Sequence, residues 1–174
     1  LPTQDRFSLS VGTHNIEGWD YDGVQSSLTV HAFDRVGNPV PNGTTVNFVT
    51  EGAGVSPSPG VCSVLDATCT VQFVSGERRP QGESVGVCLN AAGNQVPSTD
   101  AGAVANTCVY SGRVTVLAYA NGEESFDDTN GDNLYQTTET HRRLGDAYVD
   151  SNEDGSWAST EQYFPFAGAL DNVN

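Results

Sequence analysis

An acidic stretch in the later part of the chain is written twice. The first copy reads Glu124-Ser-Phe-Asp-Asp-Thr-Asn-Gly-Asp-Asn-Leu-Tyr-Gln-Thr-Thr-Glu139, and the second reads Asp146-Ala-Tyr-Val-Asp-Ser-Asn-Glu-Asp-Gly-Ser-Trp-Ala-Ser-Thr-Glu161. Equivalent residues are 22 positions apart, since Glu124 aligns with Asp146, and the copies match without a gap. Each copy alternates Asp, Asn and Asp between two aromatic residues and ends with Glu. The stretch therefore predicts two copies of one local structure.

The alternating oxygens have the spacing of a calcium-binding loop. Ca²⁺ takes about six to eight oxygen ligands, which a loop supplies from positions 1, 3, 5, 7 and 12, with a backbone carbonyl at position 7. The predicted ligands of the first copy are Asp128, Asn130, Asp132, Leu134 and Glu139, and those of the second copy are Asp150, Asn152, Asp154, Ser156 and Glu161. We therefore expect two Ca²⁺ ions, one in each copy.

Position 6 of such a loop needs a left-handed backbone, which favours glycine. The second copy has Gly155 there, and the first has Asn133, which tolerates this conformation next best. Position 9 is Gln136 in the first copy, whereas Ala158 in the second would leave this ligand to a water molecule.

Solvated acidic turns are the alternative to calcium loops, because Asp, Asn and Gly are common in turns. Five constrained positions that recur in register favour calcium. A pair of EF-hand helices is not expected, because residues 113–120 alternate like a strand and Gly122 and Gly145 stand near the two loops. The prediction is an extended or hairpin-like tail that carries EF-hand-like loops without helices.

The composition narrows the choice of partners. The chain has 174 residues, which suits one domain with an appendage, and a formal net charge of −15. Nucleic acids and anionic membranes bind basic surfaces, and no apolar run is long enough to cross a bilayer. We therefore expect neither a nucleic-acid partner nor membrane insertion.

The four cysteines are Cys62, Cys69, Cys88 and Cys108. They form no Cys-x-x-Cys motif, and the three histidines are scattered, so the sequence favours disulfides over a zinc site. Their proximity along the chain predicts the pairs Cys62–Cys69 and Cys88–Cys108. Disulfides form in oxidising compartments, so we expect an extracellular protein, where calcium is also abundant.

Apolar and polar residues alternate in several short, turn-bounded segments, which predicts an all-β fold. Strands are expected at residues 7–11 (an edge strand), 25–33, 44–50, 70–75 and 113–120. Loops are expected at residues 52–60 and 83–112, a hairpin between Cys62 and Cys69, and no helix of normal length. The predicted core consists of Leu9, Leu28, Val30, Val46, Phe48, Val71, Phe73, Val114 and Val116.

Three stretches resemble bacterial immunoglobulin-like domains of the invasin and intimin type, the Big_1 group. They are Asp34 to Phe48, with its Asn-Pro-Val-Pro-Asn-Gly-Thr core, the Cys62 to Cys69 segment, and Gly112 to Phe126. The resemblance implies an immunoglobulin-like antiparallel sandwich at residues 1–122 and an acidic calcium-binding repeat tail at residues 123–174. Residues 81–111 depart from the family pattern and are interpreted as an insertion closed by the Cys88–Cys108 disulfide.

The leading hypothesis is a non-enzymatic, calcium-stabilised structural or adhesive module of a bacterial extracellular surface protein or fibre. Its expected partners are neighbouring domains or protomers of that fibre. No hydrolase or phosphate-binding motif occurs, so an enzyme is disfavoured. A carbohydrate- or receptor-binding adhesin is the alternative, in which Trp19 and Tyr21 stack on a glycan, and a pilus-like polymer subunit is another.

Overall fold

The computed structural model describes residues 1–79, 87–97, 101–104, 112–142, 146–151 and 155–165. Within these ranges the chain forms antiparallel strands and one 3-10 turn at Gln4–Arg6, which confirms the all-β prediction. The strands are β1 Phe7–Val11, β2 Gln25–Ala32, β3 Thr45–Thr50, β4 Gly54–Ser56, β5 Val61–Ser63, β6 Thr68–Val74, β7 Val87–Leu89, β8 Gln95–Pro97, β9 Val116–Tyr119, β10 Ser125–Phe126, β11 His141–Arg142, β12 Ala147–Tyr148 and β13 Tyr163–Phe164.

Four strands form a sheet in the order β1-β2-β6-β4. The alternation of β2 puts Leu28, Val30 and Ala32 on the buried face, as predicted. Val71 pairs with Leu28, and Cys69 pairs with Val30, so the neighbouring strand extends the same apolar face. The predicted edge strand is confirmed, because β1 pairs only with β2 in this sheet.

A second sheet has the order β5-β3-β9. Its central strand β3 buries Val46 and Phe48, which pair with Cys62 of β5 and Ala118 of β9. The buried residues of both sheets form one hydrophobic cluster. Burial of a Val, Leu or Phe side chain stabilises a fold by about 1.5–3 kcal/mol, so this shared cluster holds the two sheets together.

The Cys62–Cys69 disulfide is present, with the two Cα atoms 6.0 Å apart. The predicted hairpin between the two cysteines is present, since Leu65 and Thr68 form an antiparallel bridge with hydrogen bonds in both directions. Its two sides continue into different sheets, because Cys62 lies in β5 of the second sheet and Cys69 in β6 of the first. The chain crosses from one sheet to the other over residues 64–67, with Asp66 and Ala67 in the left-handed region. The disulfide therefore links the two sheets beside the core. Cys108, the predicted partner of Cys88, lies outside the described residues.

Asp34 organises the turn after β2. Its Oδ1 atom accepts hydrogen bonds from the amides of Val36 (3.0 Å) and Asn38 (2.7 Å). Burial acts to raise the pKa of the Asp34 carboxyl, but the hydrogen bonds from Asn38 and its neighbours outweigh it and lower the pKa below 3.8. The charged form of Asp34 is therefore favoured by the folded turn.

The structure corrects several details of the sequence prediction. The 52–60 loop contains β4, and the 83–112 loop contains the antiparallel pair β7 and β8, so these two loop predictions are wrong. The strand predicted at 113–120 is shorter, because β9 begins at Val116. Of the predicted core residues, Leu9, Phe73 and Val116 are partly buried against the cluster, whereas Val114 lies at a surface cleft instead.

The first residues of the chain lie against the start of the repeat. Thr3 forms a parallel bridge with Glu123, and the Ser125 hydroxyl donates a hydrogen bond to Asp5. Gly122 allows this close approach, since a Cβ there would collide with the carbonyl oxygen of Pro2. The repeat therefore begins docked on the sheets. Within the described part of the chain, no helix has the length and apolar character that a membrane span requires.

Candidate metal centre

Each acidic copy forms a small β-hairpin whose connecting loop carries the predicted ligands. In the first hairpin Phe126 of β10 pairs with His141 of β11, and in the second Tyr148 of β12 pairs with Tyr163 of β13. Next to these pairs, the amides of Asp127 and Val149 donate to the carbonyls of Thr140 and Gln162, each at 2.9 Å. All of these positions recur at 22 residues, so the sequence repeat is also a structural repeat, and the hairpin-like form is the one observed.

The closing glutamates are buried and tie the two ends of their loops together. Glu139 is 6% exposed, and its two carboxylate oxygens accept from the amides of Thr129 (2.9 Å) and Gln136 (3.0 Å). Glu161 is 7% exposed and accepts in the same way from Ser151 (2.9 Å) and Ala158 (2.8 Å). A buried carboxylate is stable only when such donors surround it. Position 12 therefore holds the same buried carboxylate in both loops.

Position 1 anchors the turn of each loop. Asp128 accepts from the amides of Gly131 (2.7 Å) and Asn133 (2.8 Å), and Asp150 accepts from the amide of Gly155 (2.9 Å). The residues at position 6, whose amides donate two of these hydrogen bonds, have the predicted left-handed backbone, with φ of +63° at Asn133 and +77° at Gly155. The carboxylate at position 1 and the left-handed residue at position 6 thus form one turn in both copies.

In the first loop, the side chains at positions 3, 5 and 9 contact one another. The Asn130 amide donates to Asp132 (3.1 Å) and to Gln136 (3.2 Å), and the Gln136 amide donates to Asp132 (2.6 Å). Leu134 at position 7 is exposed, and its amide donates to Asp132 Oδ1 (2.8 Å). Three oxygen-bearing side chains of the predicted ligand set are therefore gathered on one side of the loop.

The second loop is described only in part. Asn152 and Asp154, its predicted ligands at positions 3 and 5, lie outside the described residues, and Ser156 is exposed. Across the described ranges, no three His, Cys, Asp or Glu side chains are grouped so that they could hold a metal ion. The first-copy ligand set depends on an Asn side chain and a backbone carbonyl as well as on carboxylates.

The Asp128 carboxyl has a lowered pKa. Burial acts to raise the pKa of this carboxyl, but hydrogen bonds from the amides of Asn133 and Gly131 outweigh it and bring the pKa below 3.8. The Arg35 guanidinium, 3.7 Å from Asp128 Oδ2, lowers it further. The first loop therefore presents a charged carboxylate at position 1.

Aromatic residues pack beside each loop. The rings of Phe126 and Tyr135 are 5.6 Å apart. Tyr135 also contacts His141 at 5.3 Å, and its equivalent Trp157 contacts Tyr163 at 5.4 Å. Tyr163 faces Tyr148 across the second hairpin.

Sequence reasoning missed the residues that follow each closing glutamate. His141 lies 2.9 Å from the Glu124 carboxylate, and the equivalent Tyr163 donates to Asp146. The hydrogen bond with Asp146 is the main cause that raises the pKa of the Tyr163 hydroxyl, and burial raises it further. The acidic residue that opens each copy was a detectable signal, because Glu124 and Asp146 also stand 22 positions apart.

Each hairpin contacts the sheets through a different side chain. Arg35 of the turn after β2 donates to the carbonyl of Asn133 at 3.0 Å in the first loop. Thr115, just before β9, donates to the carbonyl of Asp150 at 3.1 Å in the second loop. The ring of Tyr119 in β9 lies 4.9 Å from that of Phe164. Both loops are therefore held against the body of the molecule.

No family model, curated protein or solved structure matches this chain.

Proposed function

We propose that the chain is a non-enzymatic structural module of a bacterial extracellular surface protein or fibre, and that its two acidic loops bind Ca²⁺. The observation that carries the proposal is the recurrence of the same carboxylate contacts at positions 1 and 12 of both loops. Two turns that only needed to be polar would not require the same buried glutamate, with the same two amide donors, in each copy.

The side-chain oxygens of the first loop are suitable ligands for a hard cation. Asp128, Asn130, Asp132 and Gln136 offer carboxylate and amide oxygens, the ligand type that Ca²⁺ prefers. The hydrogen bonds from the backbone amides of Gly131 and Asn133 use one lone pair of each Asp128 carboxylate oxygen. Each oxygen therefore keeps a second lone pair that can bind a cation. The side chains of Asn130, Asp132 and Gln136 already lie within hydrogen-bond distance of one another, and rotation of the two amide groups would direct their oxygens to a common ion.

The loop residues would act by position and charge. Ca²⁺ supplies a divalent charge that offsets the repulsion among the carboxylates. Asp128 and Asp150 hold the turn at position 6, and the closing glutamates join the beginning and end of each loop. Because Asn133 and Asp150 also contact Arg35 and Thr115 of the main body, ordering the loops fixes the tail on the sheets.

The strand order supports an immunoglobulin-like sandwich for the main body. In immunoglobulin domains the strands A, B, E and D form one sheet, and C pairs with F in the other. The order β1-β2-β6-β4 matches A-B-E-D, and β3 beside β9 matches C beside F. The departure is β5, which follows β4 along the chain but pairs with β3. This arrangement agrees with the resemblance to the invasin and intimin type.

An extracellular location is proposed from two properties. The Cys62–Cys69 disulfide is of the kind that persists in oxidising compartments. Calcium loops of extracellular modules typically bind at about 10⁻⁴–10⁻³ M, which suits calcium levels outside cells. The partners proposed are neighbouring domains or protomers of the same fibre.

Calcium titration by calorimetry tests the proposal. We expect the wild type to bind two ions, Asp128→Ala and Asp150→Ala to bind one each, and Glu77→Ala, an exposed carboxylate outside the loops, to bind two. The second loop should bind more tightly, because Gly155 adopts the left-handed backbone at lower cost than Asn133. Limited proteolysis in EDTA should cut residues 127–161 while the sheets stay intact. No uptake at millimolar calcium, or equal protease resistance with and without EDTA, would refute calcium binding.

A further inference from the structure

A cleft at one end of the sheets lies apart from the acidic loops. Its volume is about 360 Å³, which is at the lower end of the range for small-molecule sites. The residues that line it include Trp19, Phe73, Asn15, Asp20 and Arg79. Aromatic surface and several polar groups thus face one concave space of the size that suits a small polar ligand.

One wall of the cleft is formed by the segment of residues 15–20, which carries Trp19. The residues that follow this wall are held in place by hydrogen bonds to Ser75, at the end of β6. The Ser75 hydroxyl donates to the carbonyl of Tyr21 (2.6 Å) and accepts from the amide of Val24 (3.0 Å). The Ser75 backbone also exchanges bonds with Gly23 (2.8 Å) and Val24 (2.9 Å). A wall fixed before binding loses less conformational entropy when a ligand arrives.

Trp19 has a supported ring in this wall. Gly112 lies against the indole, since a Cβ built on it would come 3.3 Å from the Trp19 Cε3 atom. Tyr21, the other aromatic residue of the segment, is 64% exposed and is not among the described residues that line the cleft. Trp19 is therefore the aromatic platform of the cleft, and it combines an apolar ring with an N–H donor.

The charges around the cleft favour an uncharged ligand. Arg79 is paired with Asp22, so its guanidinium is fixed but its charge is compensated. Asp20 contributes a carboxylate to the lining, and the formal net charge of the chain is −15. An anionic ligand would be repelled by this field. A neutral ligand with hydroxyl groups can instead donate to Asp20, accept from Asn15 and place an apolar face on Trp19.

We propose that this cleft, with Trp19 as its platform, binds a neutral sugar of monosaccharide or disaccharide size. A sugar ring combines an apolar C–H face with a rim of hydroxyl groups, which matches the combination of one indole with Asn15, Asp20 and Arg79. The acidic loops contribute none of the described residues that line the cleft, so this site is separate from the proposed calcium function.

Gly76 allows a direct test, because it lines the cleft and a Cβ added to it would meet no atom within 4 Å. Gly76→Leu should fill the cleft without straining the fold, and Gly76→Ala should fill less of it. Gly54 is equally open but does not line the cleft, so Gly54→Leu is the matched control. Thermal unfolding of all variants checks that each one is folded.

The ligands are the methyl glycosides of glucose, galactose, mannose and N-acetylglucosamine, with glucuronic acid as an anionic comparison. Binding is followed by fluorescence in a Trp157→Phe background, in which Trp19 is the single tryptophan. We expect a saturable change with at least one neutral glycoside, about tenfold weaker or lost in Gly76→Leu, intermediate in Gly76→Ala and unchanged in Gly54→Leu. No saturable change with any neutral glycoside, wild-type binding by folded Gly76→Leu, or tighter binding of glucuronic acid would overturn the proposal.

Discussion

The guanidinium of Arg35 lies 4.0 Å from the centre of the Phe126 ring. Arg35 belongs to the turn after β2, and Phe126 belongs to β10 of the first hairpin, so one cation–π contact joins the sheets to the repeat. The same guanidinium donates to the carbonyl of Asn133 at 3.0 Å. This side chain therefore positions the first hairpin through three groups at once, namely a ring, a backbone carbonyl and the nearby Asp128 carboxylate.

Replacement of Arg35 by alanine should loosen the first hairpin. Cation–π contacts contribute about 0.5–2 kcal/mol, and a hydrogen bond from a charged group contributes about 1.5–3 kcal/mol when it is well shielded from water. Because Arg35 is partly exposed, we expect a loss of about 1 kcal/mol in the free energy of unfolding. Hydrogen exchange should show faster exchange in the first hairpin than in the second. Arg78→Ala, at an exposed arginine, is the control, and equal exchange in both hairpins would contradict this role.

Replacement of Glu139 by alanine should open the first loop. The amides of Thr129 and Gln136 would lose their acceptor, and an unsatisfied buried donor costs about 1–3 kcal/mol. Glu161→Ala should have the same effect on the second loop, because its two amide contacts are equivalent. Limited proteolysis would detect each opening, with Glu123→Ala as an exposed control. If either variant were cut no faster than wild type, the glutamate would not be closing its loop.

The turn at Asp34 should make stability depend on pH. The folded-state pKa of Asp34 is lowered below 3.8, so its stabilising effect is complete above the unfolded pKa of about 3.9. That effect is lost as the pH falls through the lowered folded value. Urea unfolding of wild type and Asp34→Ala should therefore differ at pH 7 and converge at pH below the folded pKa. Glu17→Ala serves as an exposed control, and a difference that did not shrink in acid would argue against the charged turn.

Loss of the Cys62–Cys69 disulfide should lower stability without unfolding the sheets. In the chain-entropy model, closing a loop of about 15 residues contributes roughly 3 kcal/mol, and shorter loops contribute less. The two cysteines are 7 positions apart, so we expect the double variant Cys62→Ala, Cys69→Ala to lose about 2–3 kcal/mol. Denaturant unfolding measures this loss. A double variant as stable as wild type would show that the core alone holds the two sheets together and that the disulfide adds no stability.

Much of the main body could be predicted from the alternation of apolar and polar residues along its strands. The buried faces of β2 and β3 were predicted correctly because each strand has one apolar face, as with Val30 and Phe48. The β5–β6 crossing could not be predicted, because the sequence between Cys62 and Cys69 is compatible with a turn within one sheet or between two sheets. Strand β4 was missed because it has three residues and contains Gly54, which gives little alternation.

The repeat could be aligned from the sequence, and its hairpins follow the aligned positions. The left-handed conformations of Asn133 and Gly155 were predictable, because few residues other than Gly and Asn adopt them at low cost. The contact between Arg35 and Phe126 was not predictable, since 91 positions separate the two residues and only the folded sheets bring them together. The burial of Glu139 was also unexpected, because a carboxylate in an acidic segment ordinarily faces water.

The bonds that close each acidic loop connect residues of the same copy, as with Glu139 and Thr129 or Glu161 and Ser151. A copy therefore carries its own complete set of closing contacts. In-frame duplication of the DNA for residues 124–145 would add a hairpin that already has its buried glutamate, its left-handed turn and its aromatic pair. The tail can thus lengthen in evolution by whole hairpins, while the two sheets that anchor it stay unchanged.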